Sequence, residues 1–231
     1  MAAFPYRVID LSHPIHPISP IWPGDPKTEV IERANYHKDG YLLNEWRFGE
    51  HSGTHVGAPR HNYPDSLSID RVPVNQLILP LRIIDVDAGS RPLVITRALI
   101  EKHEAEDGTV PSCCVALRTG WDSRWPDADR VYEQNADGDY LWPGFDADAV
   151  SWLANERGIT AIATDAPDIG SGLDTDIDAG RRCAGEGLLH IENLANLSQL
   201  PVDGAFLVVA ALPLVGGSGS PVRALGLIPS V

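Results

Sequence analysis

The chain has 231 residues, enough for one domain with a sizeable core, and its 43% hydrophobic and 22% charged content are globular values. A formal net charge of −14 argues against a nucleic-acid or anionic-membrane partner, because both need clustered Lys and Arg. No cationic start with an apolar core and no run long enough to cross a membrane is present, and the three cysteines (Cys113, Cys114 and Cys183) are too few and too oddly placed for a disulfide framework; a reducing cytoplasm is expected.

In chain order, residues 8–11 predict a short strand, followed by the proline-rich loop around His13, His16 and Trp22-Pro23-Gly24-Asp25-Pro26, stiff without regular pairing. A stiff loop carrying an exposed Trp22 suits either a pocket wall or simple packing. Residues 41–48 predict a strand leading into His51-Ser52-Gly53-Thr54-His55-Val56-Gly57-Ala58-Pro59-Arg60-His61, where Gly and Pro disfavour a helix and predict a strand end running into a tight loop. A polar loop over 62–73 and a strand over 77–86 follow. Thr96 predicts the cap of a helix over about 97–106, with Leu99 and Ile100 inward. Residues 115–117 predict a buried strand, with Cys113 and Cys114 packing as small hydrophobes. Residues 127–140 read as an acidic surface loop. A helix follows, capped by Asp146 and ended by Gly158, with Val150 and Leu153 on one face. Strands are expected at 159–164, within 188–197, at 205–212 and at 222–228, with an Asp- and Gly-rich loop at 171–185. The mixture predicts an α/β protein without a regular βαβ rhythm, and no Gly-rich phosphate loop or Gly-x-Ser-x-Gly elbow occurs.

The chemistry concentrates at His51, His55 and His61. Imidazoles at such spacing serve as metal ligands or as proton carriers near neutral pH. A hydrolytic metal site needs three or four ligands and an open position; His51 and His55 can supply two and Glu192, far along the chain, a third. A non-ligating histidine beside the metal would carry the proton. His190 alternates with apolar neighbours and reads as a packing or hydrogen-bonding residue. His13 and His16 read as loop hydrogen-bonders, His37 and His103 as surface residues, and Trp142 and Trp152 as core or interface.

The motif resembles the signature of the cyclase/kynurenine formamidase-like (isatin hydrolase-like) family, His-x-Gly-Thr-His-x-Asp-x-Pro-x-His, at every fixed position except that Gly57 stands for the Asp. Further family landmarks follow in order: Asp10-Leu11-Ser12-His13-Pro14, Pro23-Gly24-Asp25-Pro26, Arg118-Thr119-Gly120-Trp121-Asp122, Asp165-Ala166-Pro167-Asp168 and Glu192-Asn193-Leu194. The resemblance covers nearly the whole chain. It implies a swivelling β/β/α-type single domain over residues 1–231, with a mixed sheet or barrel core, and a homo-oligomer, dimer or tetramer. It implies a hydrolase of amide, lactam or lactone carbonyls, or the ring-closing counterpart, acting on a small cyclic or aromatic substrate. Carried over residue by residue, it makes His51, His55 and Glu192 metal ligands for zinc or manganese, His61 the general acid/base and Trp22 a substrate neighbour.

Two of the family's ligands are missing, because Gly57 replaces the Asp and Gly180 replaces the His twelve residues before Glu192. A dinuclear centre bridged by that Asp is therefore not expected. Either one ion remains on His51, His55 and Glu192, with Asp65, Asp178, Glu186 or His190 as candidate substitutes, or there is no metal. The metal-free case points to a cyclase or dehydratase using His61 with His51, His55 and Glu192; a catalytically silent binding protein is the third reading.

Overall fold

The structure is a computed structural model and describes residues 5–86 and 93–230. Its strands are β1 (Tyr6–Asp10), β2 (Glu29–Ala34), β3 (Leu43–Arg47), β4 (His55–Gly57), β5 (Ile78–Asp85), β6 (Val94–Ile95), β7 (Cys114–Arg118), β8 (Gly144–Phe145), β9 (Ala161–Thr164), β10 (Leu189–Glu192), β11 (Ala205–Ala211) and β12 (Gly219–Pro229). Its helices are α1 (Tyr36–Asp39), α2 (Arg97–Asp107), α3 (Ala128–Val131), α4 (Ala147–Arg157) and α5 (Asp178–Gly185).

An eight-stranded sheet runs in the order β1-β12-β11-β5-β7-β9-β10-β4, and β4 pairs back to β12. All strands but β1 thus form a closed ring, the mixed α/β barrel core that the sequence predicts. Strands β5, β7, β9 and β10 are parallel, whereas β11, β12, β1 and β4 are antiparallel to their neighbours. Closure leaves little room inside, and the interior is filled by small and branched side chains such as Val56, Ala116, Ala161, Ala163, Ile191 and Ala224.

The period-two alternation of strands places the other side chains outside the ring. Val115, Leu117 and Ile162 pack there against Ile100 of α2, Val150 and Leu153 of α4, and Ala179 and Cys183 of α5. The same alternation decides where the site lies. Ile191 and Val56 are cross-strand partners in the interior cluster, so the flanking pairs His190–Gly57 and Glu192–His55 sit on the outer face.

Helix α4 matches its predicted ends: the Asp146 carboxylate accepts from Ala149 N at 2.6 Å, and Gly158 takes the left-handed φ of 61°. Helix α2 also forms where expected and buries Ile100, although Thr96 makes no side-chain cap bond. All three cysteines are free and buried. Two expectations are corrected. The Asp- and Gly-rich stretch at 171–185 is not all loop, because α5 forms there by burying Ala179, Cys183 and Ala184. The acidic stretch at 127–140 is not simply a surface loop, because α3 buries Val131 and the chain turns inward at Tyr132. The strand expected at 41–48 does form, but in a separate hairpin with β2 and not in the main sheet.

Candidate active site

The motif turn is tied at both ends. Gly53 takes a φ of +64°, which an L side chain rarely adopts. Thr54 Oγ1 donates to Asn193 O at 2.6 Å and accepts from His13 N at 2.9 Å, joining the amino-terminal loop, the motif and the end of β10. Asn193 itself holds a φ of 54°, and its Nδ2 donates to Gly53 O at 3.3 Å. This framework aims His55 across the strand pair at Glu192.

Four imidazoles meet in one place. Ring centroids lie 4.0 Å apart for His51–His61, 5.0 Å for His51–His55, 5.9 Å for His51–His190 and 5.7 Å for His61–His190. Hydrogen bonds set two tautomers. His55 Nδ1–H donates to Gly53 O at 2.9 Å, leaving Nε2 of the neutral ring with a lone pair only. Ser218 Oγ–H donates to Glu50 Oε2 at 2.5 Å, so the hydroxyl accepts from His51 Nε2–H at 2.9 Å and the lone pair of His51 is on Nδ1. The 3.1 Å contact between His55 Nε2 and Glu192 Oε2 therefore joins two acceptors, and it needs a shared proton or a cation. Glu192 Oε1 accepts from Ile169 N at 3.2 Å.

His190 Nδ1 is buried without a hydrogen-bond partner, and His55 Nε2 has only the Glu192 carboxylate beside it. Buried polar atoms are rarely left so, and an ion is one of the few physical explanations. Donor atoms of His51, His55 and His190 all lie within 4.8 Å of one another. Borderline nitrogen donors of this kind suit a divalent transition metal, so the residues present fit the group that the family resemblance implies.

The electrostatics keep the site short of positive charge. Burial first, then the neighbouring imidazoles, pushes His51 far below the usual histidine range. Burial likewise lowers His190 to about 4, against the pull of Glu192. His61 sits at the solvent-facing mouth; the protein packed behind it lowers its pKa, with Glu192 opposing. Burial and then the Glu192 charge raise Asp168 to about 8, whereas Glu192 is lowered: burial opposes its charge, but the His55 and His190 imidazoles outweigh that. The two carboxyls are thus pushed apart, with the proton on Asp168.

The histidines open into a cavity of about 360 Å³, within the range of small-molecule sites. Trp22, Tyr132, Asp168, Gly180 and Asn193 also line it. Trp22 packs edge-to-face on Tyr132 and Trp142, which fixes it as a wall. The sequence-predicted residues His51, His55, His61, Glu192 and Trp22 are therefore all brought together here. His190 joins the nitrogen group, in keeping with its place among the candidate substitute ligands and against its reading as a packing residue, and Tyr132, read as part of a surface loop, lines the cavity. The two glycines differ in kind. A Cβ at Gly180 meets nothing within 4 Å, whereas one at Gly57 would lie 1.9 Å from His190 Nε2.

A family model described as "putative cyclase" matches residues 9–171. The chain is 34% identical to an isatin hydrolase of Roseibium aggregatum over 96% of its own length and 92% of the relative's. It is 28% identical to a kynurenine formamidase of Salinibacter ruber, covering 94% and 96% of the two chains. Among solved structures, an isatin hydrolase bound to the product analogue thioisatinate superposes with a TM-score of 0.90 at 30% identity, over 98% of this chain and 94% of that one. The named relatives are hydrolases, and the solved isatin hydrolase shares the fold over nearly the whole chain. The chain is a member of the putative cyclase family, and within it of the isatin hydrolase and kynurenine formamidase-like enzymes.

Proposed function

We propose that the chain opens the carbonyl–nitrogen bond of a small cyclic or aromatic amide. Isatin-like lactams are the first substrates to try, with formamides and lactones next, and one divalent ion, zinc or manganese, takes part. One observation carries this reading: donor atoms of His51, His55 and His190 lie within 4.8 Å of one another at the wall of an aromatic-lined cavity. The overall resemblance to isatin hydrolase adds the substrate class.

An ion held on these imidazoles supplies a Lewis acid for the carbonyl oxygen and lowers the pKa of adjacent water. The chain's own residues do the rest. His61, kept neutral by its lowered pKa, takes a proton from the attacking water on a ring nitrogen and delivers it to the departing amide nitrogen as the C–N bond breaks. Trp22 and Tyr132 hold the flat face of the substrate. Asp168, protonated near neutral pH, offers a carboxylic O–H at the cavity wall. Self-association into a dimer or tetramer is supported by exposed Val30, Trp46 and Phe48 on and beside the β2–β3 hairpin. Three buried free cysteines support a reducing compartment, and no helix among the described residues is long and apolar enough to cross a membrane.

A second reading, metal-free ring closure or dehydration, is favoured by the His55–Glu192 contact, which one shared proton satisfies as well as a cation does. Chelator-stripped and zinc- or manganese-reconstituted protein assayed on isatin, an N-formyl aromatic amine and an aromatic lactone separates the two. Loss of ring opening on stripping and its return with metal is expected. Undiminished turnover in fully stripped protein would reject the metal-assisted reading and favour the second.

A further inference from the structure

Gly57 and His190 face each other across the antiparallel β4–β10 pair, and β12 flanks Gly57 on its other side with Gly219. A Cβ built on Gly57 would lie 1.9 Å from Nε2, 2.0 Å from Cε1 and 2.8 Å from Cδ2 of His190. Real Cβ atoms do not approach other atoms so closely, so the His190 imidazole occupies the volume where any side chain at position 57 would begin. A side chain at 57 and the ring of His190 in its present place exclude each other. A fully packed ring would need no explanation, but His190 Nδ1 is buried and unpartnered, and a donor atom of His190 lies within 4.8 Å of donors of His51 and His55.

We infer that His190 is a metal ligand that takes the place of the missing carboxylate at position 57, so that this chain holds its ion on three neutral imidazoles, His51, His55 and His190. The exchange replaces an anionic oxygen donor by a nitrogen donor. Imidazole suits zinc, whereas carboxylate oxygens suit manganese, so the exchange moves the site's preference toward zinc. Glu192 stays beside the group as its nearest anion, 3.1 Å from His55 Nε2. This inference rests on the metal-assisted reading above and names the ligand set and metal class of the same site.

The test is equilibrium dialysis of chelator-stripped, untagged protein against zinc and manganese, with elemental analysis, for wild type, His190→Ala, Gly57→Asp and the double variant. Wild type is expected to hold about one zinc per chain and to prefer zinc over manganese by about 100-fold or more. His190→Ala is expected to lose about 100-fold or more in zinc affinity, since removing even outer-shell partners costs 10–100-fold. Gly57→Asp alone should lose binding because its Cβ and the His190 ring cannot coexist. Gly57→Asp/His190→Ala should regain it with the preference moved toward manganese. X-ray absorption at the zinc edge of the wild-type protein, which needs no variant to fold, should count three imidazoles; two would overturn the inference, as would wild-type zinc affinity in folded His190→Ala or a wild type that binds no metal. Metal-dependent ring opening with unchanged affinity in His190→Ala would overturn this inference and leave the hydrolase reading standing. Zinc held through His190 in a protein that opens no cyclic amide, formamide or lactone would support it and defeat that reading.

Discussion

His51 Nε2 donates to Ser218 Oγ at 2.9 Å, and the same hydroxyl donates to Glu50 Oε2 at 2.5 Å, so a carboxylate two bonds away sets which nitrogen of His51 keeps its lone pair. Ser218 N also donates to Glu50 Oε2, at 2.8 Å, which fixes the carboxylate in turn. Partners of this kind orient ligating histidines and are worth about 10–100-fold in metal affinity. Ser218→Ala should therefore weaken zinc binding by about that factor, with an unchanged circular dichroism spectrum. Unaltered affinity in dialysis would mean that His51 needs no such orientation.

Gly180 makes the opposite prediction to Gly57. It lies within helix α5, its φ is not in the left-handed region, and a Cβ there meets nothing within 4 Å. Gly in a helix interior is about 0.5–1 kcal/mol less favourable than Ala. Gly180→Ala should raise stability by about that amount in urea unfolding. Destabilisation instead would mean that the cavity wall at α5 is tighter than this structure has it.

Acid should unfold the metal-stripped protein early. Folding lowers His13 and His190 from 6.5 to about 4, chiefly by burial, and lowers His51 further still. Below pH 6.5 the unfolded chain takes up protons that the folded one refuses. The stability that the neutral rings allow is thus full above pH 6.5 and is lost as pH falls toward 4. Melting temperature measured across that window should fall with pH. His13 stacks on Trp125 at 4.5 Å, so His13→Phe keeps the stack, removes one titrating ring and should flatten the slope. A slope equal to that of wild type would exclude His13 from the effect.

Val30 and Trp46 are cross-strand partners on the β2–β3 hairpin, and both are exposed. If the chain self-associates, exposed paired apolar side chains of this kind are where it would do so. Trp46→Glu should shift sedimentation to a smaller species without altering the fold. An unchanged sedimentation coefficient, or a monomeric wild type, would remove the hairpin from any assembly.

How much of this was legible in the sequence depended on how local each signal was. Helix α4 was readable because Asp146 and Gly158 act on their own neighbours. The motif His51–His61 was readable because its turn chemistry and histidine spacing lie within one short stretch. Helix α5 was hidden by Gly180 and Gly185, whose weak propensity is overridden by burial of Ala179, Cys183 and Ala184. Strand β2 was hidden because most of it is exposed, so it carries no apolar alternation. The placement of His190 was hidden most deeply. Its apolar neighbours Leu189 and Ile191 correctly predict a buried strand, but only the β4–β10 register places its ring over Gly57. A glycine that read as a lost ligand is the space that a distant histidine fills.

His61 carries the central claim, that an imidazole at the cavity mouth moves the proton during carbonyl–nitrogen cleavage. The most direct test is the rate of isatin ring opening by His61→Asn, measured on protein whose metal content and circular dichroism match wild type. A fall in kcat of about 10²- to 10⁴-fold, with metal content unchanged, is the predicted result. Full turnover in that variant would contradict the assignment.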